Sequence, residues 1–368
     1  MKFEEINISG QGKRVLIAPL DWGLGHATRC IPIIYDLIGR GFEVIIAADG
    51  PIKILLKKEF SHVVFTELGG YNISYSRRGP WLPVKLFLQL PKLLWSIYSE
   101  KKWLAKFIRE NNIDLVISDN RLGLFHKTTA CIYITHQLKI KTGNRFTEWL
   151  AQKIHYFFIN KYSTCWVPDN ESGNDLAGEL SHPKKLPAVP VKYIGPLSRF
   201  EKNIVEKKYD LLVLLSGPEP QRTILENLML VELKNFKGTA LLVRGLPGNI
   251  KNDSLKMENS ITVADHLSSH ELNDAILQAG LVISRSGYTT IMDLVKLQQK
   301  AIFIPTPSQP EQEYLAAYLM QRKIFLSSPQ YNFSLDKALR EAAAFPFTPL
   351  SIEQEKYKKI ITELVSRL

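Results

Sequence analysis

The sequence predicts an α/β protein built from two doubly wound, Rossmann-like domains facing a cleft. Three observations carry this. First, 368 residues exceed one typical domain and suit two. Second, short Val/Ile/Leu-rich runs recur without polar alternation, as parallel strands covered on both faces require. Third, the halves open alike: "RVLIAPLDWGLGH" and "DLLVLLSGPEPQR" each read as strand, glycine turn and helix.

Taken in order, "RVLIAPL", "FEVIIAA", "DLVISD" and "CIYITHQ" are the strands of the first half. "DLLVLLSG", "TALLVRG", "LVISRSG" and "KAIFIPT" are those of the second, and the segments between them are long enough for crossover helices. The stretch "HPKKLPAVPVKYIGPLSRFEKNIVEKK" is rich in proline and charge and reads as the interdomain connection. The expected division is 1–196, a linker over 197–208, 209–347, and an amphipathic helix within 348–368 that is free to return to the first domain.

Composition narrows the classes. Three scattered cysteines, Cys30, Cys131 and Cys165, have no CxxC spacing and argue against a disulfide framework or a zinc site. The first residues carry acids and lack an apolar core, so no signal peptide is expected. No apolar run reaches the roughly 18 residues of a spanning helix, so a soluble or peripheral, cytoplasmic protein is expected. The net charge is +11, and residues 71–110 hold eight Lys/Arg against two Glu together with Trp81, Trp95 and Trp103. Such a basic aromatic segment suits an anionic membrane surface through residues 80–108, or a helix covering the core with a solvated basic face. Pro83 and Pro91 predict that it is not one long helix. Nucleic acid is not expected, because no recognition motif accompanies the charge.

Three turns carry candidate chemistry, since ligands of such sheets bind at the carboxyl ends of the strands. In the first, Gly23 and Gly25 let backbone approach a ligand, and His26 stands at a helix mouth where a proton acceptor is well placed. A tight turn with an exposed capping histidine fits the same residues. In the second, Arg285, Ser286 and Gly287 precede a helix opening near Thr289 and Thr290, an arrangement that offers N–H groups, hydroxyls and a guanidinium to an anion. Asp293 follows one turn on, where a carboxylate suits paired sugar hydroxyls, and Ser216 with Gly217 forms the third turn. An ordinary capped helix explains the second turn equally well.

In their order and spacing these loops resemble the GT-B glycosyltransferases of the group whose N-acetylglucosaminyltransferase completes lipid II (family 28 C-terminal-domain type). The matching residues are Gly23-Leu24-Gly25-His26, Arg285-Ser286-Gly287-Tyr288-Thr289-Thr290-Ile291-Met292-Asp293, and Glu311-Gln312-Glu313-Tyr314-Leu315-Ala316. The resemblance implies an acceptor-binding first domain and a nucleotide-sugar-binding second one. It implies His26 at the reacting centre, Arg285 to Thr290 on the diphosphate, and Asp293 on the ribose; Asp119, at a strand end, suits either orienting His26 or sharing its work, or capping a helix. Glu311 and Gln312 would hold the donor sugar, His266 or Leu267 would flank uracil, and Arg244 is grouped with the nucleotide-sugar residues. Asp21, Trp22, Arg29, Asn120, Arg121, His136 and Gln137 fall on the acceptor side.

The chain departs from the pattern at Asp293, where the family has Glu, at Leu315, where it has Asn, and at Asp21-Trp22, where it has glycines. The last change faces the acceptor, so lipid I is not the expected acceptor. The implied activity is inverting, metal-independent transfer of N-acetylglucosamine or a related hexose from a UDP-sugar to a hydroxyl, on a lipid-linked or glycan acceptor. No metal or cofactor is implied beyond the UDP-sugar substrate. Two alternatives stand beside it: a nucleotide-sugar hydrolase of the pseudaminic-acid-pathway type, whose loop also resembles "GLGHATRC", and a non-catalytic sugar-nucleotide-binding protein.

Overall fold

The computed structural model describes residues 12–71, 82–171, 173–246, 255–257, 260–350, 353 and 355–366; side chains of 82–90 and 255–257 are outside this description. The chain forms two compact units, one of residues up to Leu197 with Glu353–Leu368, the other Ser198–Ile352.

In the first unit seven strands make an all-parallel sheet: β1 (Arg14–Pro19), β2 (Glu43–Ala47), β3 (Val64–Thr66), β4 (Leu115–Asp119), β5 (Ala130–Ile134), β6 (Thr164–Val167) and β7 (Val191–Tyr193). Their order is β3-β2-β1-β4-β5-β6-β7. The helices are α1 (Leu24–Gly39), α2 (Gly50–Glu59), α3 (Leu82–Asn111) and α4 (Arg145–Ile159). β4 is buried along its whole length and β1 from Val15 onward, as covering helices on both faces demand. Chain order reverses between β1 and β4, which makes their carboxyl ends the switch point where ligands of such sheets lie.

The second unit repeats the plan with β8 (Tyr209–Leu214), β9 (Ala240–Val243), β10 (Leu255–Met257), β11 (Ile261–Ala264), β12 (Ala279–Ser284), β13 (Ala301–Phe303) and β14 (Leu326–Ser327). The order is β10-β11-β9-β8-β12-β13-β14, parallel except for the antiparallel edge strand β10. Helices α5 (Gln221–Leu233), α6 (Ser269–Gln278), α7 (Tyr288–Leu297), α8 (Pro310–Gln321) and α9 (Leu335–Ala344) accompany it, and its switch point lies between β8 and β12. One core cluster joins Leu211, Val213, Leu225, Met229 and Ile283.

Two features differ from the sequence-based expectation. The α3 backbone is one helix of 30 residues that runs through Pro91. Pro83 lies in its first turn, where N–H groups have no intrahelical partner anyway, and Pro91 removes only one bond from a long ladder. Residues 198–208, read as a linker, belong to the second unit: Glu201 N–H donates to Asn273 Oδ1 at 3.0 Å, and Lys208 N–H to the Gln278 carbonyl at 2.9 Å. The last helix, α10 (Lys356–Val365), packs Tyr357, Ile360 and Ile361 into the first unit, where Arg40 Nη2 donates to the Lys358 carbonyl at 3.0 Å. Among the described residues no helix is long and apolar enough to cross a membrane.

Candidate functional site

β1 ends at Pro19, and the chain reaches α1 through Leu20–Gly23. Gly23 has φ +132° and ψ 162°, a conformation L side chains rarely adopt, although a Cβ there would touch nothing. No side chain caps α1. His26 and Arg29 lie three residues apart, hence on one face, and both reach Asp119 at the end of β4. The residue after it, Asn120, sits at φ +60° and is held by its N–H on the Ile134 carbonyl (3.0 Å) and by the Tyr133 hydroxyl on its Oδ1 (3.0 Å). That turn fixes where Asp119 points.

Asp119 is completely buried. Burial alone would raise its pKa, but the Arg29 guanidinium and then His26 outweigh it and hold the carboxyl well below the usual carboxylate range. Arg29 grips it in a fork, Nε to Oδ2 at 2.6 Å and Nη2 to Oδ1. Its Nη1 lies 3.2 Å from His136 Nδ1, and since a guanidinium only donates, that nitrogen accepts. His26 Nδ1 is 3.2 Å from Asp119 Oδ1 and 2.9 Å from Arg29 Nη2. Arg29 only donates, so its contact suits an accepting Nδ1; in the tautomer that carries the proton on Nδ1 and donates it to Asp119, Nε2 is the nitrogen left to accept a proton, on a side chain that is 16% exposed. Cys30 adds a thiol 3.5 Å from Asp119 Oδ2; burial first, then Asp119, pushes its pKa well up, so it stays protonated.

The other first-unit candidates are distributed differently. Asp21 lies against Gly70, where a Cβ would come within 1.5 Å of Oδ2, so only glycine leaves room for it. Trp22 is exposed and meets Tyr71 edge-on at 6.4 Å. Gln137 is half-buried, its N–H on Thr135 Oγ1 at 3.1 Å. Arg121 is not at an acceptor-facing edge. It is buried, with Nε on the Pro19 carbonyl (3.0 Å), Nη1 on Gly69 O (3.0 Å) and Glu100 Oε1 (2.7 Å), and Nη2 on Leu68 O (3.2 Å). Glu100 in turn accepts from Tyr71 Oη at 2.8 Å and from Gly123 N at 3.1 Å. Arg121 is therefore a structural tie, and Glu100 and Tyr71 are partners that the sequence reading did not single out.

In the second unit β12 delivers Arg285-Ser286-Gly287 to α7, which has no side-chain cap. Thr289 and Thr290 lie half-buried in its first turn, and Gly217 (φ +99°) turns the chain after β8 beside the exposed Ser216. Arg285 does not offer its Nη groups to a ligand. Nη1 donates to the Ile304 and Pro305 carbonyls (3.0 and 3.1 Å) and Nη2 to the Gln221 carbonyl (2.9 Å), while burial lowers its pKa to about 10. Ser286 Oγ donates to the Gln312 carbonyl at 2.8 Å, and Gln312 Oε1 accepts from Thr306 N–H at 2.9 Å. Arg244 is held by two carboxylates, Glu226 Oε1 at 2.5 Å and Asp265 Oδ1 at 2.7 Å. His266 and Leu267 are half-buried just before α6, and Glu311 stands in the first turn of α8.

Asp293 has a partner that no local signal announced. Ser198, inside the stretch read as linker, donates to its Oδ1 at 2.5 Å. Burial raises the Asp293 pKa from 3.8 to about 6, against the pull of Arg199 and Ser198. Because the folded value lies above the unfolded one, the folded state holds the proton more tightly. The stabilisation is complete below pH 4 and is lost as pH rises through about 6. Asp293→Asn is therefore expected to melt about 2–4 °C above the parent protein at pH 8, the two converging near pH 4, as scanning calorimetry across pH would register.

Two other clusters lie outside these turns. Asp169, Asp175 and His182 bring potential ligand atoms within 4.8 Å of one another. Asp169, however, already accepts from the N–H groups of Asn170, Leu176 and Ala177 and from Ser181 Oγ, so it organises its loop. On the surface of the first unit, α3 exposes Leu94, Trp95 and Tyr98, and α4 exposes Phe146, Trp149 and Phe157. The two helices share the cluster of Leu20, Tyr71, Ile97 and Phe158. Lys102, Lys153 and Lys161 lie 5.0, 5.8 and 4.7 Å from the ring centres of Tyr98, Trp149 and Phe157. The exposed aromatics of α4 lie outside the basic aromatic segment 80–108 that the sequence singles out.

Comparison with known proteins bears on both units. Residues 224–367 match the glycosyltransferase family 28 C-terminal domain. The chain is similar to the UDP-N-acetylglucosamine–N-acetylmuramyl-(pentapeptide) pyrophosphoryl-undecaprenol N-acetylglucosamine transferases of Haemophilus ducreyi and Clostridium perfringens. With the first it shares 26% identity over 196 residues, 52% of this chain and 51% of that enzyme. With the second it shares 25% over 292 residues, 76% of this chain and 75% of that enzyme. The match thus spans about half the length of the Haemophilus relative. In structure it resembles the glycotransferase of kitacinnamycin, with a TM-score of 0.62 at 13% identity over 97% of this chain and 94% of that one. The chain therefore has the GT-B fold, and its residues 224–367 match the glycosyltransferase family 28 C-terminal domain.

Proposed function

We propose that the protein transfers a hexose from a UDP-sugar to a hydroxyl of a lipid-linked acceptor, with inversion at the anomeric carbon. The observation that carries this is the His26–Asp119–Arg29 arrangement at the β1/β4 switch point. A buried carboxylate, ionised by its arginine, holds Nδ1 of a reachable histidine, the arrangement a general base needs. His26 Nε2 takes the proton of the acceptor hydroxyl as its oxygen bonds to the anomeric carbon. The bond from that carbon to the diphosphate breaks, and its electron pair leaves on the phosphate oxygen. Main-chain N–H groups at the uncapped start of α7 receive this charge, a role divalent cations fill in other transferases. Asp293 takes the ribose hydroxyls through the oxygen that Ser198 does not hold.

A lipid-linked acceptor agrees with the aromatic and lysine-bearing faces of α3 and α4. Tryptophan and tyrosine suit the headgroup level and lysines suit anionic lipid, which supports a peripheral position on the cytoplasmic membrane face. The names of the similar enzymes, which include a UDP-sugar and a pyrophosphoryl-undecaprenol acceptor, support the same reading.

The test is UDP release from a panel of UDP-sugars, with and without anionic vesicles bearing a polyprenyl-diphosphate-linked saccharide. Release that requires the vesicles is the expected result. Rapid acceptor-free release would make water the acceptor and the protein a hydrolase, and failure of every UDP-sugar to bind would remove the reading altogether.

A further inference from the structure

The helices of the second unit fall into two sets. α6 is closed by a capping box from Ser268 and Glu271, and α9 by Ser334. α7 and α8, which follow β12 and β13, have no side-chain cap, and α5, which follows β8, has only Glu219 Oε2 accepting from its Thr223 N–H at 3.3 Å. At this corner, four buried side-chain atoms make no hydrogen bond: Arg285 Nε, Gln221 Oε1, Thr306 Oγ1 and Gln309 Oε1. Arg285 is 1% exposed and Thr306 7%. The residues are tied together through their main chains. Arg285 holds the Gln221 and Pro305 carbonyls, and the Gln309 N–H donates to the Thr306 carbonyl at 3.2 Å. Buried polar atoms rarely go unpaired in proteins, so a cluster of them beside these helix starts requires an explanation.

The chemistry of the unpaired atoms identifies what complements them. Two of the four, the amide oxygens of Gln221 and Gln309, only accept and need O–H or N–H donors, while the Thr306 hydroxyl both donates and accepts. Phosphate oxygens only accept, so a bare diphosphate answers the helix N–H groups and not these amide oxygens. A sugar attached to the diphosphate presents hydroxyls that donate. Gln312, to which the family resemblance gives the sugar, has its amide oxygen on the Thr306 N–H and is only 9% exposed. It therefore positions Thr306. We infer that Thr306, with Gln221 and Gln309, reads the hydroxyls of the donor hexose and sets which UDP-sugar is accepted; this rests on the transferase reading above.

Calorimetric titration of UDP, UDP-N-acetylglucosamine, UDP-glucose and UDP-galactose into the parent protein, Thr306→Val, Thr306→Ser and Gln221→Leu tests this. In Thr306→Val the best-bound UDP-sugar is expected to weaken by about tenfold while UDP stays within about twofold, and Thr306→Ser restores the difference. Without ligand, Thr306→Val is expected to melt at or above the parent temperature, since the hydroxyl it removes has no partner. If Thr306→Val and Gln221→Leu bind every UDP-sugar as the parent does, or lose UDP and UDP-sugar equally, the assignment is wrong although the transferase reading stands. If the parent binds neither UDP nor any UDP-sugar, that reading fails and takes this one with it. A Thr306→Val protein too unstable to titrate contradicts the expected melting result, and Gln221→Leu then decides the affinity question alone.

Discussion

Replacing His26 with alanine is expected to lower kcat by about 10²–10⁴-fold while UDP affinity stays near that of the parent protein. The separation follows from where the residues lie. His26 belongs to the first unit and its partners Asp119 and Arg29 are there too, whereas the helix starts assigned to the nucleotide belong to the second. Asp119→Asn carries a second cost. An amide cannot neutralise the buried Arg29, so a loss of stability accompanies the loss of turnover. His26→Ala removes a partly exposed ring and leaves the Arg29–Asp119 fork whole, which makes it the cleaner variant. Steady-state kinetics beside UDP calorimetry would decide the matter. A mutant with parental kcat would strip His26 of its assigned role, and one that lost UDP binding would show that the ring serves the donor.

The largest effect on stability is expected at Arg121. Arg121→Met should destabilise the first unit by about 3–5 kcal/mol, because it leaves Glu100 buried without its cation. It also orphans the Pro19, Leu68 and Gly69 carbonyls. At about 2–4 °C per kcal/mol for a unit of this size, the melting temperature falls by about 10 °C. Glu100 responds in a definite direction: burial already raises its pKa, and Arg121 is the first of the groups opposing that rise. Without the arginine the carboxyl takes up a proton at higher pH, so the deficit of the variant shrinks toward acid. Thermal melts at pH 5 and pH 8, without ligand, would register this. An unchanged melt would mean that Arg121 is not a structural tie.

The sequence shows strands well where they are central. β1, β2, β4, β5, β8, β9, β12 and β13 are all visible as Val/Ile/Leu runs because helices cover both of their faces. Edge strands such as β3, β7 and β14 are two or three residues long and give no run to recognise. The glycine turn before His26 is legible because backbone conformation is local. The link to Asp119 spans 93 residues, and the Arg29 fork between them leaves no mark in composition. Arginines mislead most. Arg121 and Arg285 follow strands where acceptor-side and anion-binding residues are expected, yet carbonyls 19 to 102 residues away take up their guanidinium groups. Only the fold brings such acceptors near, so spacing cannot distinguish a ligand-binding arginine from one that braces a loop.

Because α10 completes the first unit, that unit is not contiguous in the chain. A ribosome must make the whole intervening unit, Ser198–Ile352, before Tyr357, Ile360 and Ile361 reach their places. At ordinary synthesis rates this delay is on the order of ten seconds. Until then the groove awaiting those side chains is open. The first unit thus gains its last core side chains only after the whole of the second has been synthesised.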